Sequence, residues 1–216
     1  MIEDERTAAY IASLDAPLSE YLLSIEHQAE SEDIPIIRPS ARSVIRFLLT
    51  LNRPERILEI GTAIGFSAIF MAENATAPVH IDTIENYEKR ITTARKNIEG
   101  SDSRGSISLI EGDAMDVLNR LSSEGRKYDM IFVDAAKAQY INYLPLCKDM
   151  LASGGVLVSD NVLFDGDIVQ SRFAVRRRDR TIHARMREYL RTLTSDPDLV
   201  TTIIPAGDGI TLSALR

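Results

Sequence analysis

Five short apolar runs, at residues 56–60, 79–85, 106–111, 130–134 and 156–159, are each separated by roughly 20 residues of helical pattern. That rhythm constrains the chain more than any single motif. Parallel strands need a crossover of a dozen or more residues, and strands that are apolar throughout suit a sheet covered on both faces. The spacing therefore predicts an α/β fold, a doubly wound parallel sheet with helices on both sides. Two further runs, 200–205 and 210–214, are divided only by Ala206, Gly207, Asp208 and Gly209. This spacer is too short for a crossover, so the pair reads as a hairpin that brings the strands to seven and ends the sheet in an antiparallel strand. Two helices are expected ahead of the sheet, at 18–32 and 39–51, the second opening on Pro39. With 216 residues, 44% of them apolar, one sizeable core is expected: a single domain over 1–216, with N-terminal helices in 1–52 and the sheet in 56–216.

No apolar run approaches the roughly 18 residues of a membrane span. The first residues, Met1-Ile2-Glu3-Asp4-Glu5, are acidic where a secretory signal would be basic, so a cytoplasmic protein with no membrane partner is expected. The lone Cys147 can form no internal disulfide and reads as a small buried apolar residue. The net charge of −7 is unevenly distributed. Residues 172–191 hold Arg172, Arg176, Arg177, Arg178, Arg180, Arg185, Arg187 and Arg191 against Asp179 and Glu188, so that segment is +6 and the remainder −13.

In a doubly wound sheet ligands bind beyond the carboxyl ends of the strands. Every such end here carries an acid: Glu59, Glu85, Asp113, Asp134 and Asp160. The turn after the first strand, E-I-G-T-A-I-G, lacks the G-x-G-x-x-G spacing of a pyrophosphate cradle. Its acid and wider glycine spacing suit a ligand with a cationic amino-acid portion, with Gly61 allowing close backbone approach. Glu85 stands where an acid accepts from both ribose hydroxyls. Asp113 suits an adenine amino group, with Ala114 packing beside the ring. Together these residues describe S-adenosylmethionine, although a strand-end acid taken alone is more often a helix cap.

Asp134, Asp160 and Asn161 add three oxygen donors on adjacent strand ends, a set suited to Mg²⁺ (or Mn²⁺) with positions left for water and substrate. The plainer reading makes Asp160 a helix cap and Asn161 a turn residue. Lys137, three residues after Asp134, is a candidate general base near that cation, or else an ordinary surface lysine.

The segments "LEIGTAIGFSA", "IDTIE", "GDA", "YDMIFVDAAKAQY" and "GGVLVSDNVL" resemble the metal-dependent O-methyltransferase family that includes catechol and caffeoyl-CoA methyltransferases. The resemblance implies a Rossmann-like methyltransferase fold, a seven-stranded mostly parallel sheet with an antiparallel last strand, and commonly a homodimer. It implies methyl-donor contacts from Gly61, Ser67, Glu85, Asp113, Ala114 and Asp134, a set to which Ile37 and Glu59 are added, and metal ligation by Asp134, Asp160 and Asn161. Within the family, "DNVLFDG", "RRRDR" and "IIPAGDGITLS" are most similar to bacterial tRNA 5-hydroxyuridine methyltransferases, which form 5-methoxyuridine at the wobble position. One departure is the C-terminal "SALR", which supplies only Arg216 where that subgroup is expected to be more basic.

A cation chelated by two adjacent substrate oxygens calls for a hydroxyl beside another oxygen donor, a requirement met by catechols and by 5-hydroxyuridine alike. The arginines separate the two, because RNA phosphates need them and a small phenol does not. The expected activity is therefore tRNA 5-hydroxyuridine methylation, with Arg176, Arg177, Arg178 and Arg180 on the RNA. The alternative acceptor is a small catechol-like or hydroxycinnamoyl-CoA compound, with the arginines as a solvated face or partners of another subunit's acids. Arg38, Arg42 and Arg46 form a second basic stripe, set either toward nucleic acid or toward water. A dinucleotide-dependent dehydrogenase is disfavoured by the glycine spacing and because His27, His80 and His183 fall outside the strand-end cluster. A catalytically dead RNA-binding protein is disfavoured by the intact acids.

Overall fold

The computed structural model describes residues 5–216; the acidic stretch Met1 to Asp4 lies outside them. The chain opens with α1 (Glu5–Ser13), α2 (Glu20–Ser31) and α3 (Pro39–Asn52). The sheet core then runs β1 (Arg56–Ile60), α4 (Phe66–Asn74), β2 (His80–Glu85), α5 (Glu88–Gly100), β3 (Ile107–Glu111), α6 (Ala114–Ser123) and β4 (Tyr128–Val133). It finishes with α7 (Tyr140–Met150), β5 (Leu151–Ser159), α8 (Arg180–Ser195), β6 (Leu199–Ile204) and β7 (Ile210–Leu215). The spatial order is β3-β2-β1-β4-β5-β7-β6. β7 runs antiparallel to both of its neighbours and the other strands run parallel, as the two-part pattern of spacers requires.

Local chemistry sets the boundaries. Ser19 caps α2, its hydroxyl accepting from the Leu22 N–H at 3.1 Å, so the helix begins two residues later than its apolar pattern. Pro39 sits in the first turn of α3, where its missing N–H is harmless. β5 starts at Leu151, five residues before the apolar run expected at 156, with a register shift against β4. Gly155 permits this, because a Cβ there would lie 3.0 Å from the Asp129 carbonyl oxygen. The helix α1 was not anticipated at all.

Side chains of the central strands alternate between two cores. Ile57, Met130, Phe132, Val156 and Val158 pack beneath α2, α3 and α4. Leu58, Ile131, Val133 and Leu157 pack beneath α6, α7 and α8, where Cys147 is buried as expected and its thiol is pushed up to about 12 by that burial. Among the described residues no helix is long and apolar enough to cross a membrane.

Arg42 and Arg46 correct the second basic stripe. Arg42 is 7% exposed, donates to Glu26 at 2.6 Å and to the Ile37 carbonyl at 2.9 Å, and lies over the Phe66 ring. Arg46 pairs with Asp15, donates to Asn74 at 2.8 Å, and covers Phe70. Both are engaged in the packing of the N-terminal helices on the sheet core, so they do not form a free basic stripe for nucleic acid.

Candidate active site at the strand ends

The turn after β1 is shaped by three positive-φ residues, Gly61 (+105°), Ala63 (+47°) and Gly65 (+87°). A Cβ on Gly61 would lie 2.0 Å from the Asp134 carbonyl oxygen, so only glycine fits where the ends of β1 and β4 approach so closely. Glu85, at the tip of β2, braces the turn. Its Oε2 accepts from the Ala63 N–H at 2.9 Å, while Oε1 accepts from the N–H groups of Asn86 and Tyr87. Two cavities open on either side. One, of about 440 Å³, is lined by residues that include Ile37, Arg38, Ser67, Lys137, Asn161 and Asp208. The other, of about 250 Å³, includes Glu85, Gly112, Ala114 and Tyr143. Gly61, Ala63, Asp134 and Ala135 belong to both, so an extended ligand can lie across this shared wall.

Glu59 is fully buried beneath the turn. Its Oε2 accepts from the Thr83 hydroxyl at 2.5 Å, and Thr83 is in turn 2.5 Å from the Thr62 hydroxyl. The other carboxylate oxygen has no hydrogen-bond partner among the described residues. Burial is the main cause that pushes the Glu59 carboxyl up to about 7; the neighbouring Ser67 hydroxyl and the Thr83 hydrogen bond oppose it, and the charges of Asp134 and Glu85 add to it. Glu59 itself lines neither cavity, but Gly61 and Ser67 near it line the larger one, so an ionised Glu59 would favour a cationic group bound there.

Asp113 stands apart. It is exposed and caps α6, its Oδ1 accepting from the Met115 N–H at 2.9 Å, which is the ordinary work of a strand-end acid. Ala114, the next residue, lines the smaller cavity.

Asp134, Asp160 and Asn161 do converge. The Asn161 amide donates to Asp134 Oδ1 at 2.9 Å, and the Asn161 N–H donates to Asp160 Oδ1 at 2.8 Å from a left-handed backbone (φ 60°). Asp160 is 3% exposed, and its carboxyl is pushed up to about 7 by burial first and by the Asp134 charge second. Asp134 is likewise raised by burial, against the Asn161 amide and the Lys137 charge. Two buried carboxyls that repel each other, with an amide oxygen alongside, form a donor set that fits a hard divalent cation. Only two of the three donors are acids, and among the described residues no group of three or more His, Cys, Asp or Glu side chains converges as a metal site. Tyr140 ties these strand ends together from below. Its hydroxyl donates to the Asp160 carbonyl at 3.1 Å and accepts from the Ala135 N–H at 3.2 Å.

Sequence reasoning missed Asp208. Its side chain is 1% exposed and takes the Lys137 ammonium at 3.0 Å, with Lys137 also 5.2 Å from the centre of the Phe164 ring. The signal was an acid between the glycines of a hairpin turn, and the turn itself is docked by N–H bonds from Val162 and Leu163 to the carbonyls of Gly209 and Asp208.

The arginine segment divides by role. Arg180 donates to the carbonyls of Val175 and Phe173, Arg185 to Ala138, and Arg187 to Ile168 and Gln170, so these three tether the chain around α8. Arg176 and Arg177 are exposed and make no side-chain contact of this kind among the described residues. Arg178, 76% exposed, reaches Asp179 at 3.6 Å.

Comparison with known proteins adds what geometry alone cannot. The family described as O-methyltransferase matches residues 12–216. A catechol O-methyltransferase of Niastella koreensis is 31% identical over 74% of this chain and 74% of its own length. A caffeoyl-CoA O-methyltransferase of Stellaria longipes is 26% identical over 98% of this chain and 90% of its own. Among solved structures, a provisionally named caffeoyl-CoA O-methyltransferase from Staphylococcus aureus superposes with a TM-score of 0.90 at 28% identity, covering 98% of this chain and all of that one. The O-methyltransferase TomG of Streptomyces achromogenes, solved with S-adenosylmethionine, gives 0.85 at 26% identity with both chains fully covered. With its parallel sheet, its glycine turn over a buried acid and a family match reaching from α1 to the last residue, this chain belongs to the O-methyltransferase family.

Proposed function

We propose that this O-methyltransferase takes S-adenosylmethionine as methyl donor and, with Mg²⁺ or Mn²⁺, methylates 5-hydroxyuridine at the wobble position of tRNA to 5-methoxyuridine. The donor reading is supported by the orphaned Glu59 oxygen and by a relative solved with the same donor. Glu59, Gly61, Ser67 and Ile37 would hold the amino-acid end; Glu85, Ala114 and the exposed Asp113 would hold the nucleoside. S-adenosylmethionine supplies an electrophilic methyl group. A divalent cation held by Asp134, Asp160 and Asn161 would lower the acceptor hydroxyl's pKa and fix its oxygen. What the chain contributes is chiefly position. Gly61 lets donor and acceptor meet across the shared wall, and Lys137, anchored by Asp208, is assigned as the catalytic group at the acceptor end.

The observation that carries the RNA acceptor is the set of exposed guanidiniums at Arg176, Arg177 and Arg178, on a segment that leaves the cleft through Phe164 beneath Lys137. A small phenolic acceptor is the second reading, favoured by the catechol and caffeoyl-CoA names of the relatives. Labelled S-adenosylmethionine, offered with Mg²⁺ or with EDTA to 5-hydroxyuridine tRNA and to catechol in parallel, separates them. Mg²⁺-dependent labelling of the tRNA alone is expected. Labelling of catechol alone would keep the chemistry and replace the acceptor.

A further inference from the structure

Away from the strand ends, α8 carries a second basic feature. An open groove of about 520 Å³ runs along its outer face and is walled by His183, Arg187, Glu188 and Arg191, with Arg172 arriving from the loop before the helix. From residue 183 to residue 195 such a face extends about 18 Å. Three guanidiniums and one carboxylate share this groove in a chain whose net charge is −7. Several arginines elsewhere are paired with acids, among them Arg42 with Glu26, Arg46 with Asp15, and Arg95 with Glu111. Here Arg172 and Arg191 have no hydrogen-bond or ion-pair partner among the described residues, and Arg187 uses one nitrogen on two carbonyls at 3.3 Å each.

The second observation is independent of the arginines. His183 is 2% exposed, and neither ring nitrogen has a hydrogen-bond partner among the described residues. A buried imidazole left without partners is costly, because it has given up water at both nitrogens and gained nothing. A residue packed for apolar reasons alone would be better served by leucine. A ring that lines a groove beside two unpaired guanidiniums and a third only partly engaged is placed to meet the same ligand that they meet.

We infer that the α8 groove is a phosphate-binding subsite, in which Arg172, Arg187, Arg191 and His183 hold a backbone phosphate of the RNA substrate. Guanidinium forks match a phosphate's oxygens in pairs, and the imidazole supplies a further N–H. The groove is separate from both strand-end cavities and would lengthen the RNA footprint from Arg176–Arg178 along the helix. Assigning the phosphate to RNA rests on the acceptor proposed above; the existence of the site does not.

The chain has three histidines, so their ring signals in a ¹H–¹³C NMR spectrum form a small set, assignable with His27→Gln and His80→Gln. Pyrophosphate titrated into the full chain should shift the His183 signals and leave those of His27 and His80 in place. In the double variant Arg172→Gln/Arg191→Gln, both at exposed positions, that binding should weaken about tenfold or more. The same variant should raise the KM for tRNA, and its plot of log affinity against log salt should be shallower by about one for each phosphate that the side chains no longer reach. His183 signals that ignore pyrophosphate would overturn the site, whatever happens with tRNA. Signals that respond to pyrophosphate, with tRNA kinetics and salt slope unchanged in the double variant, would overturn the assignment to RNA while leaving 5-hydroxyuridine as acceptor. Failure of wild-type protein to methylate tRNA, with the pyrophosphate response intact, would remove the acceptor reading and leave the phosphate site standing.

Discussion

Glu59 gives the methyl-donor site a pH signature. Its carboxyl ionises near 7 in the fold rather than near the ordinary 4.5, chiefly because it is buried. A raised carboxyl contributes stability that is complete below about 4.5 and is lost as pH climbs through about 7, where the fold must hold an unwelcome charge. A cationic ligand reverses that preference, since it binds best against the ionised form. S-adenosylmethionine should therefore bind more tightly as pH rises from about 5.5 to 7, releasing protons as it does so. Calorimetry in two buffers of different ionisation heat measures that release. Glu59→Gln should abolish it and flatten the pH dependence; a wild-type affinity that does not change with pH would remove Glu59 from the donor site. Gly61→Ala should act more bluntly, because its Cβ would sit within 2.0 Å of the Asp134 carbonyl oxygen on a φ of +105°. A drop of about 2 kcal/mol or more in stability is expected, read by denaturant unfolding, together with failure to bind the donor.

The hairpin between β6 and β7 shows how one element positions another. Gly209 (φ +83°) packs so closely on the loop after β5 that a Cβ would lie 2.2 Å from Leu163 Cγ. Gly209→Ala should push Leu163 away and with it Asn161 and Phe164, so turnover should fall at least tenfold, and Leu163→Ala in the same chain should recover part of it. A Gly209→Ala protein with unchanged kinetics would mean that the docking is incidental. The hairpin itself was legible in the sequence because a four-residue spacer cannot cross a sheet, and the parallel strands were legible because their spacers can. The acids Glu59, Glu85, Asp134 and Asp160 were legible for a related reason: strand ends are fixed by the strands. What the sequence hid was long-range pairing. Arg42 and Arg46 looked like a free stripe because their partners Glu26 and Asp15 belong to segments that only tertiary packing brings near. Asp208 looked like a turn residue until the hairpin was docked against Lys137, and α1, at nine residues, is too short a window for its periodicity to stand out.

Over the whole molecule the charge is divided between a +6 segment at 172–191 and a remainder of −13, and this division bears on how a polyanion could approach. A net charge of −7 repels RNA at long range, so encounter is favoured in orientations that lead with the +6 segment at 172–191, and the −13 of the remainder opposes the others. Some of those arginines are already committed: Arg180, Arg185 and Arg187 hold backbone carbonyls, and replacing them would disturb the loop and α8 as well as any ligand. The exposed Arg176, Arg177 and Arg178 can be changed with less structural cost, which makes them the cleaner probe. Their joint replacement by glutamine should leave thermal stability and S-adenosylmethionine affinity nearly unchanged while weakening tRNA binding. Each phosphate no longer neutralised lowers the slope of log affinity against log salt by about one, so a slope reduced by about two to three is expected. The size of the slope change matters more than the weakening itself. A disturbance of packing alone would weaken binding with little change of slope, because no phosphate contact and no counterion release would be lost. A slope that falls by about two or three counts the phosphates that these side chains touch, and an unchanged slope with unchanged affinity would make the cluster a solvated face and move the acceptor toward the small phenols named by the relatives.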